Sequence, residues 1–149
     1  MDNNIPDFAG AHFQEAVAGP AAGNNFTYTL PQGFRYRLKS IQMQITASAA
    51  AGARFPMVRL RNNAVYYLRL PGSFLIAATE IWYCYWAAGL QVPTLIGNLW
   101  QFNPLPIDHF MNGGAQIMSD LDGIDAGDQI SSIVITFDRW VEIATPPLD

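Results

Sequence analysis

Residues 132–137 of this 149-residue chain, Ser-Ile-Val-Ile-Thr-Phe, decide its fold class. Ile133, Ile135 and Phe137 recur at every second position, which is the period of a β-strand with one buried face. β-Branched and aromatic residues also fit a pleated sheet better than a helix. We therefore expect a strand that continues to Ile143 and is stopped by the proline pair that follows.

The same two-residue period appears earlier in the chain, with one interruption. Residues 26–30 alternate apolar side chains with threonine and end at a Pro-Gln-Gly turn. The next two apolar groups lie in opposite phases, so both can face one core only if a residue near Lys39 or Ser40 shifts the register. We expect a β-bulge there. The two groups are Tyr36 and Leu38, followed by Ile41, Met43 and Ile45.

Turn signals divide the middle of the chain into further elements. The Asn62-Asn63 pair separates two alternating runs and predicts a hairpin. The alanine- and serine-rich segment after Thr46 is too short for a stable helix and predicts a loop. The expected elements are a loop at 47–52, a hairpin over 58–70, a long strand over 74–88 bent near Ala77, a weaker strand over 94–102 closed by Asn103-Pro104, and a short strand over 115–119.

About eight strands and no convincing helix predict an all-β fold, an antiparallel β-sandwich of the jelly-roll type. We assign residues 26–143 to this domain, since the chain is long enough for one ordinary domain. Residues 1–25 are rich in glycine, proline and asparagine, which predicts an extended N-terminal arm. Residues 12–17 could form a short helical turn within it. The alternative is a frayed terminus. Residues 144–149 form a C-terminal tail.

Composition excludes several classes of function. Half of the residues are hydrophobic and 13% are charged, about half the usual charged share, which favours a surface covered by neighbours. The net charge of −4 and a single lysine argue against binding nucleic acid or anionic lipid. We expect neither a membrane span, because the apolar run 74–90 is short and interrupted, nor a secretory signal at the acidic N-terminus. The lone Cys84 can form no disulfide within the chain, which fits synthesis in the cytoplasm.

Residues that could support catalysis or metal binding are few. Cys84 lies in an apolar strand, where burial raises rather than lowers a thiol pKa. Asp108 and His109 could act as a general base, but no nucleophile motif accompanies them, so we expect no enzyme. Asp-Gly pairs in the acidic run 120–128 are ordinary turn formers, and the run does not match an EF-hand loop. We expect no cofactor, and only weak metal-ligand candidates remain, namely Asp120, Asp122, Asp125 and Asp128.

The distribution of charge is more informative. Seven of the eight basic residues lie between positions 35 and 69, whereas most acidic residues follow position 107. Either these regions pair within one subunit, or they face a neighbour in a head-to-tail oligomer or an acidic shell. The second alternative gives as oligomer or capsid contacts the basic strand residues Arg35, Arg37, Arg59 and Arg61 and the apolar arm residues Ile5, Phe8, Phe13 and Val17.

Two segments carry a family resemblance. Residues 26–41 comprise a strand, a Pro-Gln-Gly turn, an aromatic-Arg-Leu motif and a second strand. Residues 113–142 comprise a strand after a Gly-Gly pair, an Ala-Gly-Asp-Gln-Ile-Ser run and the strand that ends in Trp140. Both segments resemble the small structural proteins of tailed bacteriophage virions. The resemblance covers residues 26–46 and 113–142.

This resemblance implies a non-enzymatic virion component assembled in the host cytoplasm. Its partner would be the major capsid protein or another virion protein, which it would reinforce as a capsid decoration or cement protein, favouring a homotrimer. The cement role predicts buried tryptophans and an arm extended from the body. The alternative is a carbohydrate-binding or host-adhesion module of a tail or fibre, with Trp82, Trp86 or Trp100 exposed as a stacking platform. A hydrolase would require Asp108 and His109 to converge on a nucleophile.

Overall fold

The computed structural model describes residues 10–62, 65–97 and 99–141. These residues form eleven β-strands and no helix, which confirms the all-β prediction. The strands are β1 (Ala11–Val17), β2 (Thr27–Thr29), β3 (Phe34–Thr46), β4 (Met57–Asn62), β5 (Val65–Pro71), β6 (Ile81–Ala88), β7 (Thr94–Ile96), β8 (Trp100–Leu105), β9 (Phe110–Asn112), β10 (Gln116–Ser119) and β11 (Gln129–Val141).

The strands form two sheets that enclose one core, as a β-sandwich does. The large sheet has the order β1-β11-β3-β6-β8-β7, and β9 also pairs with β3. The small sheet has the order β2-β10-β4-β5. Side chains from both sheets meet in the core, among them Tyr36 and Trp86 from the large sheet and Leu60 and Ile117 from the small one. The jelly-roll assignment stays a prediction.

The bulge expected near Lys39 or Ser40 is confirmed. Thr136 of β11 pairs with Ser40, and the next residue, Phe137, pairs with Leu38. Lys39 is therefore an extra residue in β3, and it restores the phase between the two apolar groups. All five of those side chains are buried: Tyr36, Leu38, Ile41, Met43 and Ile45.

A second bulge, which the sequence analysis did not predict, interrupts β11. The pairing with β3 shifts between Ser131 and Val134, and Ser132 adopts a positive φ of 50°, in the left-handed region that few non-glycine residues occupy. The shift allows both Ile130 and Ile133 to face the core, although they are three positions apart. The long strand predicted around Ile133 is confirmed, and its described part ends at Val141.

The N-terminal residues that the structure describes form an edge strand. β1 pairs antiparallel with β11 along its whole length, from Ala11 opposite Arg139 to Val17 opposite Ile133. The helical turn considered for residues 12–17 is therefore wrong. Phe13 and Val17 share one side of this strand and pack on the sheet, where the ring of Phe13 stacks on Phe137 with centroids 6.2 Å apart. Residues 11–17 therefore lie against the body, whereas the cement role had predicted an arm extended from it.

The predicted strands over 74–88 and 94–102 require correction. Strand β6 begins only at Ile81, after the bends and turn that precede it. The chain then crosses to the far edge as β7 and returns between β7 and β6 as β8, so β8 runs parallel to β6 and the large sheet is not purely antiparallel. β8 continues through Pro104, because β7 pairs only as far as Phe102 and a proline is tolerated where no neighbouring strand needs its amide.

Three shorter predictions are confirmed. Strands β4 and β5 form the hairpin expected over 58–70, with Val58 paired to Leu70. The residues 47–52 contain neither strand nor helix. Strand β10 covers most of the segment predicted at 115–119.

Candidate interaction surface

One end of the large sheet carries no charge. Between Glu80 and Asp108 the sequence contains no aspartate, glutamate, lysine, arginine or histidine. These residues form β6, β7 and β8, so the uncharged stretch becomes one contiguous part of the sheet and its β7 edge. The core of a protein–protein interface is depleted of charged residues in the same way.

The outer side of β6 and β8 bears four aromatic side chains, which we call the aromatic ladder: Tyr83, Tyr85, Trp100 and Phe102. Tyr83 is the direct partner of Trp100, and Tyr85 of Phe102. The rings of Tyr83 and Trp100 stack with centroids 4.4 Å apart, and those of Trp100 and Phe102 lie 6.3 Å apart with nearly parallel planes. The rings therefore support one another in a fixed arrangement.

Edge strand β7 extends the ladder outward. Ile96 pairs with Trp100 and thus shares its side of the sheet. All three residues of β7 are exposed, and none is charged. We call Ile96 and the aromatic ladder together the charge-free face. An uncharged, exposed edge strand is a template for pairing with another chain unless a partner covers it.

The stacking geometry determines how the ladder meets a partner. Neighbouring strands are about 4.7–4.9 Å apart, close to the separation of the Tyr83 and Trp100 rings, whose planes differ by only 16°. The two rings therefore face each other, and the stack covers one face of each ring. The ladder offers apolar area to a protein surface at fixed ring positions.

The three tryptophans proposed as a stacking platform do not act together. Trp82 and Trp86 share a face as predicted, but that face is the core, where both are buried. Trp100 lies on the opposite side and is 37% exposed, so the buried tryptophans expected for the cement role are found at two of these three positions. Tyr83, Tyr85 and Phe102 were not predicted as site residues. Their alternation with other apolar residues and the uncharged stretch around them could have indicated them.

The oppositely charged regions of the sequence pair largely within the chain. Arg37 Nη2 lies 2.6 Å from Asp138 Oδ2, and Arg37 Nη1 lies 3.2 Å from Asp108 Oδ1. Arg59 forms an ion pair with Asp120. Charge separation along the sequence thus reflects strand neighbours and supplies no argument for a head-to-tail oligomer.

The remaining predicted basic contacts have different surroundings. Arg61 donates hydrogen bonds to the side-chain oxygen of Gln116 and lies over the ring of Tyr66, 5.7 Å from its centroid. Arg35 is exposed, and among the described residues it has no carboxylate partner. Its guanidinium lies 4.8 Å from the centre of the Phe110 ring.

The apolar arm residues are only partly described. Phe13 and Val17 are half-buried on β1 and pack against this chain's own core. Arg139 lies over the Phe13 ring at 3.7 Å from its centroid. Ile5 and Phe8 lie outside the described residues, so their proposed role in contacts stays a prediction.

The four aspartates considered as metal ligands do not converge. Asp128 pairs with Arg54, and Asp120 pairs with Arg59. Asp125 Oδ1 accepts hydrogen bonds from Ser48 Oγ and from the Gly127 amide. Within the described ranges, no group of three or more histidine, cysteine, aspartate or glutamate side chains is placed to hold a metal ion.

A buried ion pair that the sequence analysis missed holds two loops together. Arg54 and Asp128 have side chains 1% and 0% exposed, and Arg54 Nε and Nη2 donate to the two carboxylate oxygens at 2.9 and 3.0 Å. Burial alone would raise the pKa of Asp128. The hydrogen bonds from Arg54 and from the amides of Asp125 and Ser48 outweigh that effect and hold the pKa well below its usual range.

The remaining candidate catalytic residues are separated. Asp108 faces Arg37, whereas the His109 ring stacks on Tyr67 with centroids 5.7 Å apart. Burial lowers the pKa of His109. Cys84 is buried in the core, and burial raises the pKa of its thiol well above the usual range, as expected for a packing residue.

Comparison with known proteins adds no assignment. No protein-family model, curated protein or solved structure matches the chain. None of the described residues belongs to a helix that could span a membrane. The sequence and the geometry above are therefore the basis for the function proposed next.

Proposed function

We propose that this protein is a non-enzymatic structural component of a tailed bacteriophage virion, which binds the capsid as a decoration or cement protein. The charge-free face docks on the major capsid protein or another virion protein, and further copies of the chain, in a trimer, share the site of attachment. The protein is synthesised in the host cytoplasm and functions in the virion. The resemblance of residues 26–46 and 113–142 to such virion proteins supports this proposal.

The observation that carries the proposal is the charge-free face. A stable soluble monomer keeps charges of both signs spread over its surface. Strands β6, β7 and β8 instead expose Trp100 and three aliphatic side chains, half-expose the other three ladder rings, and carry no charge. Exposed apolar surface of this kind marks a contact with another macromolecule. A permanent assembly such as a capsid suits it, because permanent interfaces are more hydrophobic than transient ones.

Stabilisation follows from selective binding. A protein that binds the assembled shell, and not its dissociated subunits, lowers the free energy of the assembled state by an amount that grows with the logarithm of one plus the ratio of its free concentration to its Kd. The Tyr83 and Trp100 rings suit this role because each already packs on the other before binding, so less side-chain entropy is lost. The stack covers only one face of each of these two rings, so the experiment below also tests the glycan-binding alternative.

The test is a binding experiment with capsid shells that lack this protein. Wild-type protein is expected to sediment with the shells and to raise their melting temperature. Trp100→Ala is expected to weaken binding about 30-fold, because interface tryptophans often contribute about 2 kcal/mol or more. Failure of correctly folded wild-type protein to bind the shells would contradict the proposal, and binding to immobilised glycans would then support the alternative.

Ile96→Ser and Val65→Ser form a matched pair of variants for this test. Both residues are exposed, β-branched and on edge strands, with exposed fractions of 57% and 66%, but Val65 lies on β5 of the small sheet. Ile96→Ser is expected to weaken shell binding, while Val65→Ser leaves it unchanged. Equal losses for the two variants would show that general surface hydrophobicity, and not the charge-free face, drives binding.

A further inference from the structure

The uncharged surface continues past the charge-free face, across the outer side of the large sheet. Tyr83 of the aromatic ladder is the cross-strand partner of Gln44 on β3, and Gln44 is the partner of Ser131 on β11. Tyr85 is likewise the partner of Gln42. Two rows of side chains therefore run from the ladder to β11 without a charged residue.

Beyond the ladder, this side of the sheet bears amide and hydroxyl groups. They are half-exposed, and they alternate along their strands with buried core residues such as Met43 and Ile135. Charges resume where Arg37 and Lys39 approach Asp138, toward one end of β3 and β11. We call the following residues the polar strip: Gln42, Gln44, Ser131 and Thr136.

The charge-free face alone is too small for a stable interface. Strands lie about 4.8 Å apart and side chains on one face recur about every 6.8 Å, so the five residues of this face cover about 160 Å². The uncharged outward positions of all six strands, from Thr94 on β7 to Ala16 on β1, cover about 600 Å². A specific interface buries about 600–1,000 Å² on each partner. These positions, which we call the neutral surface, are together large enough for one.

The chemistry of the neutral surface is self-complementary. Aromatic rings pack on aromatic rings, and each amide or hydroxyl group can both donate and accept a hydrogen bond. Two copies can therefore meet through this surface without bringing like charges together, which would oppose association. The outer side of the small sheet differs, because Arg59 and Arg69 are direct cross-strand partners there and would face the arginines of a second copy.

We propose that two copies of this chain associate through the neutral surface before either binds a shell. The aromatic ladders pack on each other and the polar strips hydrogen-bond to each other, since a two-fold axis that crosses the strands brings like halves together. The dimer goes beyond the proposed function and does not depend on it. One consequence does rest on that function: the dimer covers the face that docks on the capsid, so dimerisation competes with shell binding, and the trimer forms on the shell from dissociated chains.

Sedimentation equilibrium of the full chain tests the dimer. Wild-type protein is expected to be dimeric at about 100 μM, because specific interfaces dissociate at about micromolar concentrations or below. Gln44→Glu and Gln44→Lys each place two like charges in the interface and should raise the dissociation constant by about tenfold or more. An equimolar mixture of the two variants should form dimers again, because opposite charges then meet.

Gln116→Glu is the matched control. Gln116 is also half-exposed, but it lies on the outer side of the small sheet, so the variant adds the same charge to the chain outside the neutral surface. It should dimerise as the wild type does. Urea midpoints equal to that of the wild type verify that all three variants fold.

A monomeric or trimeric wild type, equal weakening by Gln116→Glu, or a mixture of Gln44→Glu and Gln44→Lys that stays monomeric would overturn the proposal. A monomeric wild type that binds shells refutes the dimer and leaves the proposed function standing. A monomeric wild type that binds immobilised oligosaccharides instead would assign the surface to a glycan. A dimeric wild type that binds no shells refutes the function and leaves the dimer standing.

Discussion

The Arg54–Asp128 pair and the charge-free face differ in where charged groups lie. Two loops bury a complete ion pair, while the outer side of β6 and β8 leaves Trp100 exposed and three further aromatic rings half-exposed, with no charge among them. Burying ions costs desolvation energy, which only complete pairing offsets. Exposing apolar rings does not disturb the packing of the chain, but it leaves apolar surface in contact with water. The first arrangement serves the fold of one chain, and the second is complete only with a partner.

Deleting Lys39 should have the largest effect. It tests the packing of the β-sandwich core, on which both regions depend. Without the extra residue, the strand on one side of the bulge turns over, and either Tyr36 and Leu38 or Ile41, Met43 and Ile45 point away from the core. We expect the deletion variant to lack a cooperative thermal transition. Lys39→Ala keeps the residue count and should fold, so a folded deletion variant would contradict the role of the bulge.

Arg54→Met should have the next largest effect, about 3–5 kcal/mol in the free energy of unfolding, because it leaves the Asp128 carboxylate buried without its cation. Urea unfolding monitored by tryptophan fluorescence measures the change. Arg69→Met is the matched control, since Arg69 is exposed and has no carboxylate partner among the described residues, and it should change stability by no more than about 0.5 kcal/mol. Similar values for both variants would show that the buried pair contributes little.

The buried pair should also produce a smaller, pH-dependent loss of stability in acid. The pKa of Asp128 is lower in the folded chain than in the unfolded chain, so the unfolded state takes up a proton first as the pH falls below about 4. The free energy of unfolding should therefore decrease from about pH 5 downward. Arg54→Met, which removes the main cause of the low pKa, should show a shallower slope, and an unchanged slope would assign the acid sensitivity to other carboxylates such as Asp138.

Alternation, turns and phase shifts in the sequence were sufficient to predict much of the fold. The period-two pattern around Ile133 and the phase change at Lys39 predicted a buried strand and a bulge, because side-chain direction in a strand depends only on local geometry. The parallel placement of β8 and the strand at residues 11–17 were missed. Both depend on which strand lies beside which, a long-range choice that no local pattern records.

The candidate surface shows the same limit. Trp82, Trp86 and Trp100 were predicted as a platform from their residue type, but the sheet divides them between core and surface. The charge contrast between residues 35–69 and the later acids was visible in the sequence, whereas its cause, pairing across adjacent strands and loops, was not. The uncharged stretch between Glu80 and Asp108 could have indicated the face. Only the strand order shows that these residues form one contiguous surface.

Ile96→Lys should have the smallest effect on folding. It tests most directly whether the charge-free face serves a partner and not the fold. Ile96 is exposed on an edge strand, so a lysine there should change the free energy of unfolding by no more than about 0.5 kcal/mol. A charge on an open edge also opposes pairing with another chain. We therefore expect self-association, measured by sedimentation velocity, and shell binding to decrease while the urea midpoint stays unchanged. A fall in stability instead would mean that β7 serves the fold of the single chain, and the distinction between a region built for folding and a region built for a partner would not hold.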